Sequence, residues 1–560
     1  MNGDSQHPTE TVRNQPPPDA AAPPTTAPAS AQAQDPNDPS GTLRGHSRWL
    51  IAFTVTLATF MEILDTSIAN VALPHIAGNL SAGIDESTWV LTSYLVANAV
   101  VLPLAGWASL LMGRKRYYMT CVALFVGSSF LCGLAPNLGT LIFFRVLQGM
   151  GGGGLAPSEQ AILADTFPPK QRGLAFAFYG FAIVAAPAVG PTLGGWITDN
   201  FSWRWIFYIN VPVGILSLFM TSWLVHDPPA FEQERQNQKR AGFSIDYIGL
   251  ALIAVGLGTL QFVLDKGNRD DWFGSRLITT FAFISTAALL AAIIWELRAA
   301  NPIVDLRLLK NRNFALANVL MVVVGFVLLG STAIIPQFTQ VLLGYSATDA
   351  GLVLSPGALV VMALMPVVGI VQNRIDLRWI IGLGLILGFA GLYQMTHFTL
   401  GVDYFHVMIA RVVQASGIAF LFVPISTLGF ADIPAAQNTA ASGFINLSRN
   451  IGASVGIAVS TTFLSRWSQA HQSYLAAHVS PYDGQTRAMI NALTARFAAL
   501  GHAPVDATRQ ALRVLYQSLS GQASMLAYID VFRMMGWFFL FSIPLCFLMR
   551  KPRSTVPRMH

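Results

Sequence analysis

A chain of 560 residues that is 53% hydrophobic and only 11% charged is not a large soluble enzyme, because soluble domains carry roughly 25% charged residues. Its net charge of +6 does not point to nucleic acid, since the basic residues stand in short clusters between apolar runs, where orientation in a bilayer accounts for them. Cys121, Cys132 and Cys546 lie in or beside apolar runs without metal-ligand spacing, so neither a disulfide framework nor a metal site is expected.

Residues 1–47 are rich in Pro, Ala and polar residues and cannot bury enough apolar surface to fold, so a disordered cytoplasmic tail is expected there. The first apolar run, 49–74, is too long for a signal-peptide core and reads as an uncleaved membrane span. Inside it stand Glu62 and Asp65, although a charged carboxylate in hydrocarbon costs at least roughly 2.5–3.5 kcal/mol. Further runs long enough to cross about 30 Å of hydrocarbon follow at 89–111, 117–136, 139–161, 173–197, 205–226, 246–264, 277–296, 314–336, 350–371, 379–398, 406–429, 448–465 and 528–549, which makes fourteen spans.

Charge asymmetry tests that count. With the N-terminus inside, cytoplasmic segments contain "GRKR" (113–116), "PPKQRG" (168–173), "ERQNQKR" (234–240), "RLLKNR" (307–312), "NRIDLR" (373–378) and "RKPRSTVPR" (550–558), whereas the opposite loops are acidic or mixed. Both termini are thus expected in the cytoplasm. The segment 466–524 becomes a long outside loop, and its stretch "RAMINALTARFAALGH" is amphipathic at helical spacing, which predicts a folded surface cap.

Two stretches copy each other: "RVLQGMGGGGLAP" begins at Arg145 in the fourth span and "RVVQASGIAFLFVP" at Arg411 in the twelfth, an offset of 266 that also carries Gly190 onto Gly456. The expected organisation is a six-helix bundle at 48–226, linkers and an extra helix pair at 227–313, a second six-helix bundle at 314–549 that includes the loop 466–524, and a tail at 550–560. Duplicated halves rocking about a midplane site are the usual construction of secondary transporters. Close packing explains many of the glycines, but it does not require an arginine in the hydrocarbon of both halves.

On these motifs the chain resembles the major facilitator superfamily, and within it the fourteen-span drug:proton antiporters of the EmrB/QacA type. "LDTSIANVALP" (64–74), "RVLQGMGGGG" (145–154), "GPTLGGWI" (190–197), "WRWIFYINVPVG" (203–214), "NPIVDLRLLKNRNF" (301–314) and "MLAYIDVFRMMGW" (525–537) carry the likeness, which spans 48–552. The fold this implies is an all-α integral membrane protein of fourteen transmembrane helices. One departure stands out. The superfamily's loop between the second and third helices reads G-x-L-A-D-R-x-G-R-K, whereas here "GWASLLMGRK" has Leu110 and Leu111 in place of the Asp-Arg pair and keeps Gly106, Gly113, Arg114 and Lys115. A gate closed by that Asp must be held in some other way.

Glu62 and Asp65 lie on one helical face about a turn apart. Counting 1.5 Å per residue puts Asp65 and Arg145 at a common depth, and the resemblance places their helices beside the central cavity. A carboxylate desolvated in one state and approached by an arginine in another binds and releases a proton, so proton coupling is expected of Asp65, Glu62 and Arg145. A fixed buried ion pair, or hydrogen bonds from Asn70 or Asn98 to Asp65, remains open as the structural alternative, and Glu62 could instead contact a cationic substrate. The expected substrate cavity comprises Glu62, Asn70, Asn98, Gln148, Arg411 and Gln414. Pro187, Gly190, Pro191, Gly194 and Gly195 form the antiporter motif of the fifth helix, read as a bend packed tightly against the other half. Glu159 reads as a snorkelling carboxylate at the interface, and His397 as interfacial.

No G-x-x-x-x-G-K-[ST] loop occurs, so ATP is not the expected driver, and neither cofactor nor catalytic constellation is expected. One proton moving down about 100 mV supplies roughly 2.3 kcal/mol, near a fiftyfold gradient per charge. The resemblance implies proton-coupled export of lipophilic compounds, cations among them, across the inner membrane. In double-membraned bacteria it also implies a periplasmic adaptor and an outer-membrane channel, with 466–524 as the docking surface. A proton-coupled uptake symporter, or a narrow-specificity metabolite exporter of the same fold, is the competing expectation.

Overall fold

The computed structural model describes residues 45–240, 246–299, 302–372, 374–434, 437–480 and 482–550. The expected tails therefore lie almost wholly outside the described residues, as does Asn373, and the first helix begins at Gly45. Every regular element described is helical. Among the described residues, eleven helices are long and apolar enough to span a membrane. The pair Leu138–Gly152 and Leu155–Thr166, the helix Pro169–Asn200 and the helix Asn438–Ala477 supply three more crossings, which makes fourteen.

In chain order the first half consists of α1 (Gly45–Asn79), α2 (Trp89–Met112), α3 (Arg114–Leu134), α4 in two pieces (Leu138–Gly152 and Leu155–Thr166), α5 (Pro169–Asn200) and α6 (Trp205–Leu224). The extra pair is α7 (Tyr247–Lys266) and α8 (Arg276–Arg298). The second half is α9 (Arg312–Gln337), α10 (Ala347–Val371), α11 (Leu377–Met395), α12 (Tyr404–Phe430), α13 (Asn438–Ala477) and α14 (Pro504–Leu548). The two halves form two six-helix bundles. We call the end that carries Gly45 and Gly113 the basic face.

The inner part of α4 is shielded from lipid. All residues from Gly151 to Ala164 of α4 are buried, so that segment needs no apolar surface for hydrocarbon. Its glycines set the spacing: a Cβ on Gly149 would stand 2.4 Å from the Tyr94 carbonyl oxygen, and one on Gly151 2.6 Å from the Phe125 amide. Small residues let α4 approach α2 and α3 backbone to backbone. Gly113, at φ 94°, ends α2 in a conformation that a side chain disfavours.

The segment 466–524 is folded and its amphipathic stretch is helical, as expected, but the helices on either side run on into it and it is not a loop. α13 continues unbroken to Ala477, α14 starts at Pro504, and the helix Gly484–Ala499 packs on α14 between them. His471 Nε2 lies 2.8 Å from Asp530 Oδ2, tying the two long helices together. The spans read at 448–465 and 528–549 are therefore the membrane parts of helices 40 and 45 residues long. The extra pair is also not peripheral. Trp89 stacks on Phe262, Lys266 Nζ donates to Thr88 Oγ1 at 2.5 Å, and Ser454 Oγ of α13 donates to Gln261 Oε1 at 2.9 Å. By these contacts α7 bridges α2 and α13.

Candidate functional site

Asp65 is 2% exposed and accepts from three side chains. Arg145 Nη1 donates to its Oδ2 at 2.5 Å, while Gln148 Nε2 and Asn210 Nδ2 donate to Oδ1 at 3.0 and 2.7 Å. Arg145 also donates through Nε to the Val90 carbonyl at 3.0 Å and lies 4.3 Å from the Tyr94 ring centroid. Asp65 and Arg145 thus meet, but behind the cavity wall and not across the cavity. Asn210, not singled out from the sequence, completes the cage, and it stands in the stretch "WRWIFYINVPVG".

Glu62 faces the cavity itself. Its Oε1 accepts from Tyr94 Oη at 2.9 Å and from Asn98 Nδ2 at 3.1 Å. The cavity measures about 250 Å³ and is lined on one side by Glu62, Thr66, Asn98 and Pro187, on another by Gln261, Leu264, Asp265 and Asn268 of α7 and its C-terminal turn, and opposite by Arg449, Asn450 and Ser454 of α13. Arg449 is a second functional candidate that the sequence reading passed over, and the signal available was a lone arginine in "LSRNIG" within an otherwise uncharged stretch. It lines the same cavity as Glu62.

Several expected residues lie elsewhere. Asn70 is exposed and does not bond Asp65; five residues further along the helix it points about 140° away at 3.6 residues per turn. Asn98 bonds Glu62, not Asp65. Gln148 and Gln414 are sealed behind the wall, each hydrogen-bonded to the arginine three residues earlier. Arg411 lines a separate small pocket, which shares Ile183, Pro187, Leu328 and Leu329 with the main cavity. Glu159 is not interfacial: it is fully buried and accepts from Thr56 Oγ1 at 2.5 Å, because α4 is enclosed on every side at that level. His397 is exposed just past the end of α11.

The tight packing of the fifth-helix motif is against its own half. A Cβ on Gly190 would meet Ser67 Oγ at 2.4 Å, and one on Gly194 would meet Ile68 Cγ2 at 3.0 Å, so both glycines seat α5 on α1. Gly195 has nothing within 4 Å of that position, and the side chain of Pro191 lies outside the described residues.

The halves join at the basic face. Arg114 pairs with Asp165 at the end of α4, and the other oxygen of Asp165 accepts from Asn438 Nδ2 of α13 at 2.7 Å. Deeper in, Gln160 Oε1 accepts from Ser442 Oγ at 2.7 Å and Asn446 Nδ2 at 2.9 Å, and Tyr179 Oη donates to Asn446 Oδ1 at 3.2 Å. Gly106 lies so close to Ala440 that a Cβ would reach its Cα at 2.7 Å. Asp165 thus supplies the carboxylate that Leu110 and Leu111 do not. Lys115 binds Asp227 Oδ1 through its amide at 2.8 Å and the Ser222 carbonyl through Nζ at 2.7 Å, which fastens the same loop to the end of α6.

The sequence profile of the Major Facilitator Superfamily matches residues 55–457. The chain is 38% identical over 442 residues to the multidrug export protein EmrB of Haemophilus influenzae, covering 79% of this chain and 85% of that one. It is 33% identical over 511 residues to the EmrB protein of Escherichia coli K12, covering 91% and 97%. Among solved structures, the proton:xylose symporter XylE bound to 6-bromo-6-deoxy-D-glucose superposes with a TM-score of 0.56 at 14% identity over 90% of this chain and 97% of that one, a likeness of fold alone.

Proposed function

Because the chain belongs to the Major Facilitator Superfamily and, within it, to the EmrB-type multidrug export proteins, we propose that it is a proton-coupled antiporter that exports lipophilic drugs or toxic compounds by alternating access. The observation that carries this reading is the placement of Glu62 in the cavity wall, one helical turn from the enclosed Asp65–Arg145 pair.

The basic face is cytoplasmic in this reading, by the bias of basic residues to that side. The protein then sits in the inner membrane with both termini inside. The halves touch through Asp165–Asn438 and Gln160–Asn446 on the cytoplasmic side, so this conformation is the one that discharges substrate outward. A proton taken up from outside neutralises Asp65. Neutral Asp65 no longer holds Arg145, the cage loosens, and the halves rock. On the inner side the proton leaves, substrate binds beside Glu62, and the pair re-forms.

The helices α13, α14 and Gly484–Ala499 supply the surface for a periplasmic adaptor leading to an outer-membrane channel.

Efflux of ethidium from energised cells tests the coupling. Wild type should export the dye only without protonophore, and Asp65→Asn, present in the membrane at equal amount, should lose at least tenfold in initial rate. Equal export by both would show Asp65 to be structural, and dye accumulation by the wild type would favour uptake symport.

A further inference from the structure

The two halves repeat one polar cluster with a single change. The offset of 266 residues takes Arg145 to Arg411, Gln148 to Gln414 and Asp65 to Ser331. Arg411 Nη1 donates to Ser331 Oγ at 3.0 Å and to Gln414 Oε1 at 2.5 Å, and Gln414 Nε2 donates to Ser331 Oγ at 2.9 Å. This reproduces the Arg145, Gln148 and Asp65 triangle bond for bond, with a hydroxyl where the first half has a carboxylate.

Arg411 is only 7% exposed, and among the described residues no carboxylate pairs with it. Its Nε has no hydrogen-bond partner, and Nη2 has only Thr332 Oγ1 at 3.3 Å. The edge of a guanidinium formed by Nε and Nη2 is one that grips a carboxylate with two parallel bonds. A buried cation is costly unless an anion and hydrogen bonds compensate it. Ser331, Thr332 and Gln414 supply hydrogen bonds but no negative charge.

The pocket that Arg411 and Thr332 line holds about 40 Å³, with Leu354, Ala358, Val361 and Ala415 as further walls. One water needs at least about 10–15 Å³ by the same measure, so the pocket suits a small planar head group. A doubly charged phosphate would leave excess charge against one guanidinium. Four aliphatic residues, Ile183, Pro187, Leu328 and Leu329, belong both to this pocket and to the main cavity. A molecule with its charge at Arg411 can lay an apolar tail across them. Arg449, the other cavity arginine, shares its cavity with the carboxylate of Glu62, whereas among the described residues no carboxylate lines the pocket of Arg411.

We propose that Arg411 is an anion subsite that takes the carboxylate of a lipophilic acid, with the acid's tail in the main cavity, so that substrate supplies the charge that Asp65 supplies in the first half. The proposal rests on the reading of that cavity as the substrate site. It does not depend on proton coupling.

The test is titration calorimetry of the purified full-length chain in detergent with octanoate and with 1-octanol, which share a tail and differ in the head group. Wild type should bind octanoate at least tenfold more tightly than octanol. Arg411→Gln should bring the ratio near one. Ser331→Asp keeps the arginine and installs the first half's carboxylate, and it should also bring the ratio near one while melting no lower than wild type. An arginine with a merely structural role would leave the ratio unmoved in Ser331→Asp, and that result overturns the proposal. Equal binding of acid and alcohol by wild type overturns it as well; if chloride, compared with gluconate, then raises the melting temperature of wild type but not of Ser331→Asp, the site holds an inorganic counter-ion. No gradient is used, so failure here leaves proton-driven export standing, and a failure of the ethidium experiment leaves this subsite standing.

Discussion

Asp65 shows how much of a buried charge depends on neutral neighbours. Arg145 balances its charge, but Asn210 and Gln148 satisfy the second oxygen, and a hydrogen bond to a charged group contributes about 1.5–3 kcal/mol. Asn210→Leu should therefore lower the thermal stability of the purified protein by about that amount, read as a fall in melting temperature, whereas Asn70→Leu on the exposed side of α1, the helix that carries Asp65, should leave it within error. Helix counting set Asp65 and Arg145 at one depth because both are measured from helix ends that lie on the same face. It was blind to Asn210, since an asparagine in an apolar run reveals no partner until α6 is packed on α1 and α3. Glu159 misled for a related reason: depth along α4 is legible, but whether lipid, water or protein lies beside that depth depends on five other helices.

At the scale of elements, the contact of α4 with α13 does what the loop after α2 does not. Asp165 ties Arg114 within the first half and Asn438 across to the second, and Gly106 permits backbone contact with Ala440. Asn438→Leu should weaken closure at the basic face, and a cysteine introduced at Ala440 should then be alkylated severalfold faster than in the otherwise wild-type chain. Gly106→Val should act more strongly in the same direction, since its side chain meets backbone that cannot swing aside. The glycine motifs signalled close packing in the sequence, but not its partner. Gly190 and Gly194 meet α1 of their own half, because the periodicity of small residues defines a face and not what lies against it. Likewise the apolar runs ended at 465 and began again at 528, while α13 and α14 continue as helices into water, where hydropathy no longer marks them.

For the whole molecule, fourteen crossings and two repeated halves were legible because bilayer thickness fixes the length of an apolar run and basic clusters alternate with spans. The projection formed by α13, α14 and Gly484–Ala499 gives a further test. Replacing residues 482–502 by a short Gly/Ser linker should leave membrane insertion and ethidium binding by the purified protein intact, yet abolish drug tolerance in cells with two membranes, measured as a fall of at least fourfold in inhibitory concentration. An unchanged tolerance would mean that the projection docks nothing. The wall formed by α7 has a different consequence. Gln261, Leu264, Asp265 and Asn268 border the cavity, yet their helix belongs to neither repeat. Substitutions there reshape what the cavity admits without touching a helix that carries the duplicated arginines. Selection for new cargo thus has a panel to work on that is separate from the machinery of the stroke, and a lineage can change its substrates quickly while its engine stays the same.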